Sequence, residues 1–301
     1  MASNKRLIAA GALGGAADAI DIDNFDLTSR TTFNPSEVGI YSGGGCAYGN
    51  NGNIFYAGSE YLPSGIVYQY NTPSAYTLPT TSDTANKDLD GSYMYNFKIN
   101  DDGSKFFVYE YYTASDKRIQ RYNMSSNWDV STASLVSAQR IDYSYLIGLT
   151  TGSNYGGAFA FTSDGSSFYV SLNSGSNGDH QLAFHKWDLS TAWDISGVQS
   201  TSPTSSSGYI TISGLSGTAN YDYHRDMYVN DSETQLIVSV LNNLVVQFDL
   251  TTAGDLSTAS YTKKRTFGAT QAFGPTYYPD AQIAIFYTDG GSTYDQYDYV
   301  P

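Results

Sequence analysis

Hydrolysis of a glycosidic bond needs two carboxyl groups facing one bond, with one of them held protonated. The 301-residue chain has four glutamates for such work: Glu37, Glu60, Glu110 and Glu233. Glu233 falls in a hairpin turn, and Glu37 follows a strand-like segment near the N-terminus. Glu60 and Glu110 follow strand-like runs, where they face either a channel or solvent. Most aspartates recur at turn positions, where a carboxylate caps backbone amides. His180 and His185 stand five residues apart across a loop-to-strand boundary, so they need not converge. No H-x-H or H-E-x-x-H pattern brings two imidazoles to one metal. The triplet His224-Arg225-Asp226 copies part of a kinase catalytic loop, but nothing else of a kinase accompanies it; it reads as the start of a strand. Neither a G-x-S-x-G elbow nor a phosphate-cradling Walker loop occurs. The expectation is a chain with no catalytic residue, no metal ligand and no cofactor.

Cys46 is the only cysteine. It excludes an intrachain disulfide and a thiolate metal cluster, and it reads as a small buried filler. Oxygen ligands cluster in DIDNFD (21–26), NKDLDG (86–91) and NDDG (100–103), but none has the full EF-hand spacing. Asx-rich turns without metal are the reading. All three tryptophans precede an aspartate: Trp128-Asp129, Trp187-Asp188 and Trp193-Asp194. Their roles divide between sugar stacking and packing, and packing is the expectation. The tyrosine clusters YEYY (109–112) and YDYH (221–224) put amphipathic rings on loops, which suits contact with a protein or a glycan.

Bulk properties bound the partners. With Lys+Arg 15 against Asp+Glu 29, the net charge is −14. Such a chain repels phosphate backbones and anionic membrane surfaces, so neither nucleic-acid binding nor membrane insertion is expected. No window of about 18 apolar residues exists to span a bilayer. The 28 tyrosines and 29 glycines, with many Ser and Thr, favour strands and turns over helices.

The opening MASNKRLIAAGALGGAADAI has the look of a secretion leader, with Lys5 and Arg6, an apolar stretch and an Ala17-Asp18-Ala19 site. Gly11, Gly14 and Gly15 break the apolar part. Residues 1–20 therefore read as a retained arm of small residues, packing against something such as a neighbouring subunit.

The elements that position these residues emerge from an internal repeat. A hairpin signal, two apolar runs around an Asx-Gly-like pair, recurs with markers Asn51, Asp102, Asp164, Asp231 and Asp280, spaced 51, 62, 67 and 49 residues apart. In two copies Ser232 and Ala281 stand in place of glycine. After each hairpin comes a third strand with a fixed triplet: a long polar residue, an aromatic and an Asx. The polar residues are Gln69, Arg121, Lys186, Gln247 and Gln296. The aromatic–Asx pairs are Tyr70-Asn71, Tyr122-Asn123, Trp187-Asp188, Phe248-Asp249 and Tyr297-Asp298. The triplet reads as the end of a strand and an Asx-initiated turn.

A further motif then leads into a fourth, outer strand: NWDVSTAS (127–134), AWDISGV (192–198) and GDLSTAS (254–260). The first repeat offers only AYTLPT (75–80) here, and the last offers nothing. The missing copy is at the other end, where NFDLTSRTTF (24–33) matches NWDVSTASLV (127–136), so that Phe25 takes the place of Trp128 and Trp193. The prediction is an all-β fold: a single five-bladed β-propeller of four-stranded blades, closed by the N-terminal strand and preceded by a short arm. Residues 1–20 form the arm and 21–301 the propeller. Within it, 21–40 supplies the closing outer strand of the last blade, and the blades run roughly 41–90, 91–150, 151–215, 216–267 and 268–301. Long loops are expected at 172–181 and in the Ser-rich 199–208.

The combination of FTSDGSSFYVSL, YNMSSNWDVSTAS and WDLSTAWDIS resembles a repeat in virion proteins of marine tailed bacteriophages. The resemblance covers roughly residues 21–301, and the start RLIAAGALGGAAD is similar to the openings of such proteins. WD40 chains fit less well, because no Gly-His dipeptide precedes the repeats. The resemblance implies a virion structural protein, tail-associated or decorating the particle surface, present in many copies. Its partners would be other virion proteins, held through the arm or a propeller face, and a host surface receptor. The alternative is a glycan-binding propeller that recognises host carbohydrate, and the third reading is a propeller glycosidase. The structural motif residues would then carry architecture and no chemistry.

Overall fold

The computed structural model describes residues 19–34, 43–59, 65–89, 93–113, 116–149, 157–173, 181–213, 224–240, 244–267, 272–278, 283–288 and 293–300. The expected arm up to residue 18, Glu37, Glu60, His180 and the marker Asp280 lie outside them.

Alternating apolar runs separated by tight turns give antiparallel strands. Among the described residues these form five sheets. Sheet 1 runs β2 (Gly43–Gly49), β3 (Ile54–Ser59), β4 (Ile66–Asn71), β5 (Ala85–Asp88), and sheet 2 runs β6 (Tyr93–Ile99), β7 (Lys105–Thr113), β8 (Asp116–Met124), β9 (Ala133–Asp142). Sheet 3 runs β10 (Gly157–Phe161), β11 (Ser167–Asn173), β12 (Gln181–Asp188), with the short β13 (Ser205–Ser206) and β14 (Ile210–Thr211) both pairing with β12. Sheet 4 runs β15 (His224–Val229), β16 (Gln235–Val240), β17 (Leu244–Leu250), β18 (Ala259–Thr266). Sheet 5 combines β19 (Ala272–Tyr278), β20 (Ile283–Thr288) and β21 (Thr293–Tyr299) with β1 (Phe25–Phe33), which pairs antiparallel with β21 in the register Phe25–Tyr299 and Phe33–Tyr294.

The fold is all-β and its arrangement is that of a β-propeller. The first strands adjoin in succession, β2 to β6, β6 to β10, β10 to β15, β15 to β19 and β19 to β2. Apolar clusters fill the seams between consecutive sheets. Phe107, Ile119, Phe168 and Trp187 join sheets 2 and 3. Tyr169, Phe184, Val238 and Phe248 join sheets 3 and 4, and Phe33, Phe55, Tyr70 and Tyr294 join sheets 5 and 1. Each ring sealed this way is worth about 2–3 kcal/mol in area removed from water.

Four local expectations are corrected. Glu233, not Ser232, takes the glycine's place in the fourth hairpin: it has φ +54°, matching Gly103 at +66° and Gly165 at +70°. AYTLPT is no strand; the outer strand of sheet 1 is Ala85–Asp88. Part of the Ser-rich loop is a strand, because Ser205 and Ser206 pair with Lys186 and His185.

The N-terminal copy is the fourth correction, and its register is off by five residues. The element equivalent to Asp129-Val130-Ser131 is Asp21-Ile22-Asp23. Asp21, like Asp129 and Asp255, caps a single 3-10 turn and accepts the backbone N–H two residues on. Phe25 has φ −71° and begins the strand, whereas Trp128 and Trp193 sit at +67° and +63°. Burial decides between the two registers. Ile22 is 0% exposed, as are Val130 and Leu256, while Leu27 is 39% exposed.

A short α-helix (Tyr143–Ile147) follows β9. No described helix is long and apolar enough to cross a membrane.

Candidate functional site: polar connectors across the seams

A strand's side chains alternate between faces. Within the repeated triplet, the aromatic therefore points to one neighbouring sheet and the long polar residue to the other. Tyr70, Tyr122, Trp187, Phe248 and Tyr297 are all buried, and each packs backward. Tyr122 lies among sheet 1 side chains, Trp187 among those of sheet 2 and Tyr297 beside Ile237 and Val245 of sheet 4.

The polar residue reaches forward to the next sheet. Gln69 Oε1 accepts the Val130 N–H at 3.1 Å. Arg121 donates to the Trp193 carbonyl at 3.2 Å. Lys186 pairs with Glu233 at 2.5 Å. Gln247 Oε1 accepts the Ile22 N–H at 3.4 Å, and Gln296 Nε2 donates to the Tyr76 carbonyl at 3.1 Å. Five variable residues thus do one job. The sequence shows them as a recurring long polar position, but not what they reach.

The Trp-Asp pairs form a second device. The Trp128 N–H donates to the Gly103 carbonyl at 2.7 Å, and the Trp193 N–H to that of Gly165 at 3.0 Å. The indole then lies across the glycine. A Cβ on Gly103 would fall 2.1 Å from Trp128 Cδ2, and one on Gly165 would fall 2.2 Å from Trp193 Cε2. Only glycine supplies both the positive φ and the missing side chain. In sheet 1, Tyr76 covers Gly52 in the same way.

The aspartate of each pair ties the following turn. Asp129 and Asp194 accept the N–H and hydroxyl of Ser131 and Ser196, and Asp255 does the same with Ser257. The Ser196 bond holds the Asp194 carboxyl below the usual range. The turn-forming Asx is thus this one. Asp188 and Asp249, expected to start turns, accept instead from Lys186 and from Gln235 and Gln247 of their own sheets. Asn71 ends β4, Asn123 and Asp298 stand one residue before the ends of β8 and β21, and all three are exposed.

Sheet 4 inverts the glycine–aromatic pair. Its αL residues are Glu233 and Gly254, joined by the Gly254 N–H to the Glu233 carbonyl at 2.9 Å. With no indole present, Glu233 takes Lys186, the Tyr169 hydroxyl and Ser167 Oγ. Burial pulls the Lys186 pKa down, but its bonds to Glu233 and Asp188 outweigh that, and the net direction is up.

At the centre, Asp226 is fully buried. It accepts from Asn96 Nδ2 at 2.7 Å, Lys98 Nζ at 2.5 Å and its neighbour Met227 N–H at 2.7 Å. Burial raises its pKa against these partners. The HRD triplet is thus a structural carboxylate held between sheets 2 and 4. Burial also raises the Cys46 thiol far above its ordinary value, which leaves it unreactive. Glu110 is 0% exposed and accepts from Gln120 and Tyr122. Among the described residues no three His, Cys, Asp or Glu side chains group to hold a metal.

One seam opens outward as a groove. Between sheets 1 and 2 a space of about 430 Å³ is lined by Asn50, Gln69, Asn71, Asn127, Trp128 and Asp129, among others.

No family model matches the chain, and no curated protein matches it. Among solved structures it is similar to the β-propeller domain of Cps50 (Swd1) from Myceliophteria thermophila, at 6% identity and a TM-score of 0.43, over 90% of this chain and 100% of that one.

Proposed function

We propose that the chain is a non-enzymatic assembly protein: a five-bladed propeller, closed by β1, that serves as a structural component of a phage virion, on the tail or the particle surface. The observation that carries this reading is the use made of the recurrent polar residues. Each is engaged in joining one sheet to the next, which builds a rigid ring and leaves no repeated group for chemistry. Closure by β1 is supported by its pairing with β21 and by how the preceding residues dock on sheet 4. Gln235 bonds Ile20 at both N–H and carbonyl, 2.7 Å each, and Arg265 donates to the Ile22 carbonyl at 2.7 Å. Lys263 pairs with Asp21. The arm would then leave from a fixed point on the rim, suited to holding other virion proteins.

Purified particles should contain the chain in many copies, and removal of residues 1–18 should leave the ring folded but absent from particles. Release of reducing ends from a host polysaccharide by the isolated protein would overturn the non-enzymatic reading. A second reading, a glycan-binding propeller contacting the host surface, is favoured by the polar groove between sheets 1 and 2, which side-chain amides, the Trp128 indole and the Asp129 carboxylate line.

A further inference from the structure

We propose that Asn51 is a deamidation site, held closed in the folded chain and unlocked when the first hairpin opens. Among the described residues, Asn51 is the one asparagine followed by glycine. In such a pair the glycine's backbone nitrogen can reach the asparagine side chain, because glycine carries no side chain to stand in the way. The Gly52 nitrogen attacks Cγ of Asn51, and the new C–N bond closes a succinimide ring. The Gly52 amide proton passes through solvent to the side-chain nitrogen, which leaves as ammonia. Water then opens the ring on either side. The product is aspartate or, with one extra methylene in the main chain, isoaspartate. Water is the only reagent consumed.

The folded hairpin presents the electrophile and withholds the nucleophile. The Asn51 side chain is exposed, and no hydrogen bond from a described residue holds it. Gly52 is buried and pinned. Its N–H donates to the Gly49 carbonyl at 3.0 Å, and its carbonyl accepts the Tyr76 N–H and the Thr72 hydroxyl at 2.9 Å each. Tyr76 covers it so closely that a Cβ would fall 2.5 Å from Tyr76 Cγ. Asn50 and Asn51, at φ +49° and +53°, form the tight turn that the Gly49 bond closes. Cyclisation requires the peptide between Asn51 and Gly52 to rotate. Rotation takes the Gly52 N–H off Gly49, and the Tyr76 ring and the bonds to the Gly52 carbonyl resist the shift. The matching pairs in sheets 2 and 3 resist for a different reason. Asp102-Gly103 and Asp164-Gly165 carry carboxylates that bonds from Ser104 and Ser166 hold ionised, below the usual range. An ionised carboxylate is a poor electrophile. In the fourth hairpin Ser232 follows Asp231, with no glycine between them. The mark runs one way. Isoaspartate at 51 lengthens the main chain, so Gly52 no longer meets Gly49, Thr72 and Tyr76 together. A chain that opens at sheet 1 and closes again carries the record of it.

The test is to incubate the full chain at mildly alkaline pH, folded and in urea, and to follow Asn51 by peptide mapping with mass spectrometry. Mapping separates it from Asn177-Gly178, the other such pair in the sequence, which lies outside the described residues. Conversion at Asn51 is expected to be about tenfold or more slower in the folded chain than in urea, because it waits for local opening. Tyr76→Gly lifts the ring off Gly52 and suits the φ of +58° at that position. Thr72→Val deletes the hydroxyl bond to the Gly52 carbonyl. Acceleration of about threefold or more in the folded state of either variant, with the rate in urea unchanged, supports the proposal. If Tyr76→Gly unfolds the chain, Thr72→Val decides. A folded wild type that converts within about tenfold of the urea rate would overturn it. So would no conversion in urea, or no acceleration in any variant that folds.

Discussion

The seam between sheets 2 and 3 and the seam between sheets 3 and 4 solve one backbone problem with opposite chemistry. Both bring two αL residues together through a single N–H to carbonyl bond, Trp193 to Gly165 in one and Gly254 to Glu233 in the other. In the first, the large side chain comes from the loop after the third strand and covers a glycine in the hairpin. In the second, the large side chain comes from the hairpin, the glycine from the loop, and an ion pair replaces the indole. The backbone contact is the invariant, and it requires a glycine on one side so that the other side has room. An indole makes this contact apolar and insensitive to salt; an ion pair in its place makes the contact responsive to salt.

The largest effect expected from breaking this comparison is at Gly165. Gly165→Val places atoms where the Trp193 ring lies, at a positive φ that a β-branched residue resists, and should cost about 3–5 kcal/mol in urea melts. Glu233→Gly removes the ion pair but relieves the strained φ, and should stay within about 1 kcal/mol of wild type. Equal losses at the two positions would mean that the seams are not variants of one device.

Acid should act through a buried imidazole next. His185 bonds Ser206 through Nδ1 at 2.9 Å, and burial lowers its pKa from 6.5 to about 4. The unfolded chain takes up a proton that the folded chain refuses, so stability is full above pH 6.5 and falls as the pH drops toward 4. The loss is about 2–3 kcal/mol. His185→Gln should flatten that part of a stability–pH curve; an unchanged slope would assign it to other groups.

A smaller change separates the seams by salt. Lys186→Met should cost about 1 kcal/mol at low ionic strength and less at high salt, whereas Trp193→Leu should cost an amount that salt does not alter. Because the Lys186 pKa is raised, its contribution is complete below its ordinary value of 10.5 and is lost as the pH rises beyond it. The smallest effect is at the turn caps. Asp194→Ala should cost about 1 kcal/mol, and because the Asp194 pKa is lowered, the difference from wild type should vanish as the pH falls below 3.8.

Much of this architecture is legible in the residues themselves. The hairpins follow from Asx-Gly pairs between alternating apolar runs, and the third strand from its polar–aromatic–Asx triplet. Strand alternation then sends the aromatic to one seam and the polar residue to the other. What misled was chemistry that local sequence repeats without tertiary meaning. Asp26-Leu27-Thr28 makes the same Asp-to-hydroxyl turn as Asp129-Val130-Ser131, and it resembles that motif more closely than Asp21-Ile22-Asp23 does. Only burial of Ile22 against sheet 4 selects the true copy. The inverted pair in sheet 4 was illegible because Glu233 does not look like a residue for positive φ; its αL state is fixed by Gly254 and Lys186 from elsewhere in the chain.

The central proposal is that the N-terminal strand closes a ring of five. Asp26 and Asp298 face one another in the β1–β21 register, within reach of a disulfide between paired strands. In an Asp26→Cys, Asp298→Cys chain, with Cys46 buried out of play, mild oxidation should give a monomer with an internal cross-link and a higher melting temperature. Failure to cross-link, or formation of dimers alone, would contradict closure within the chain.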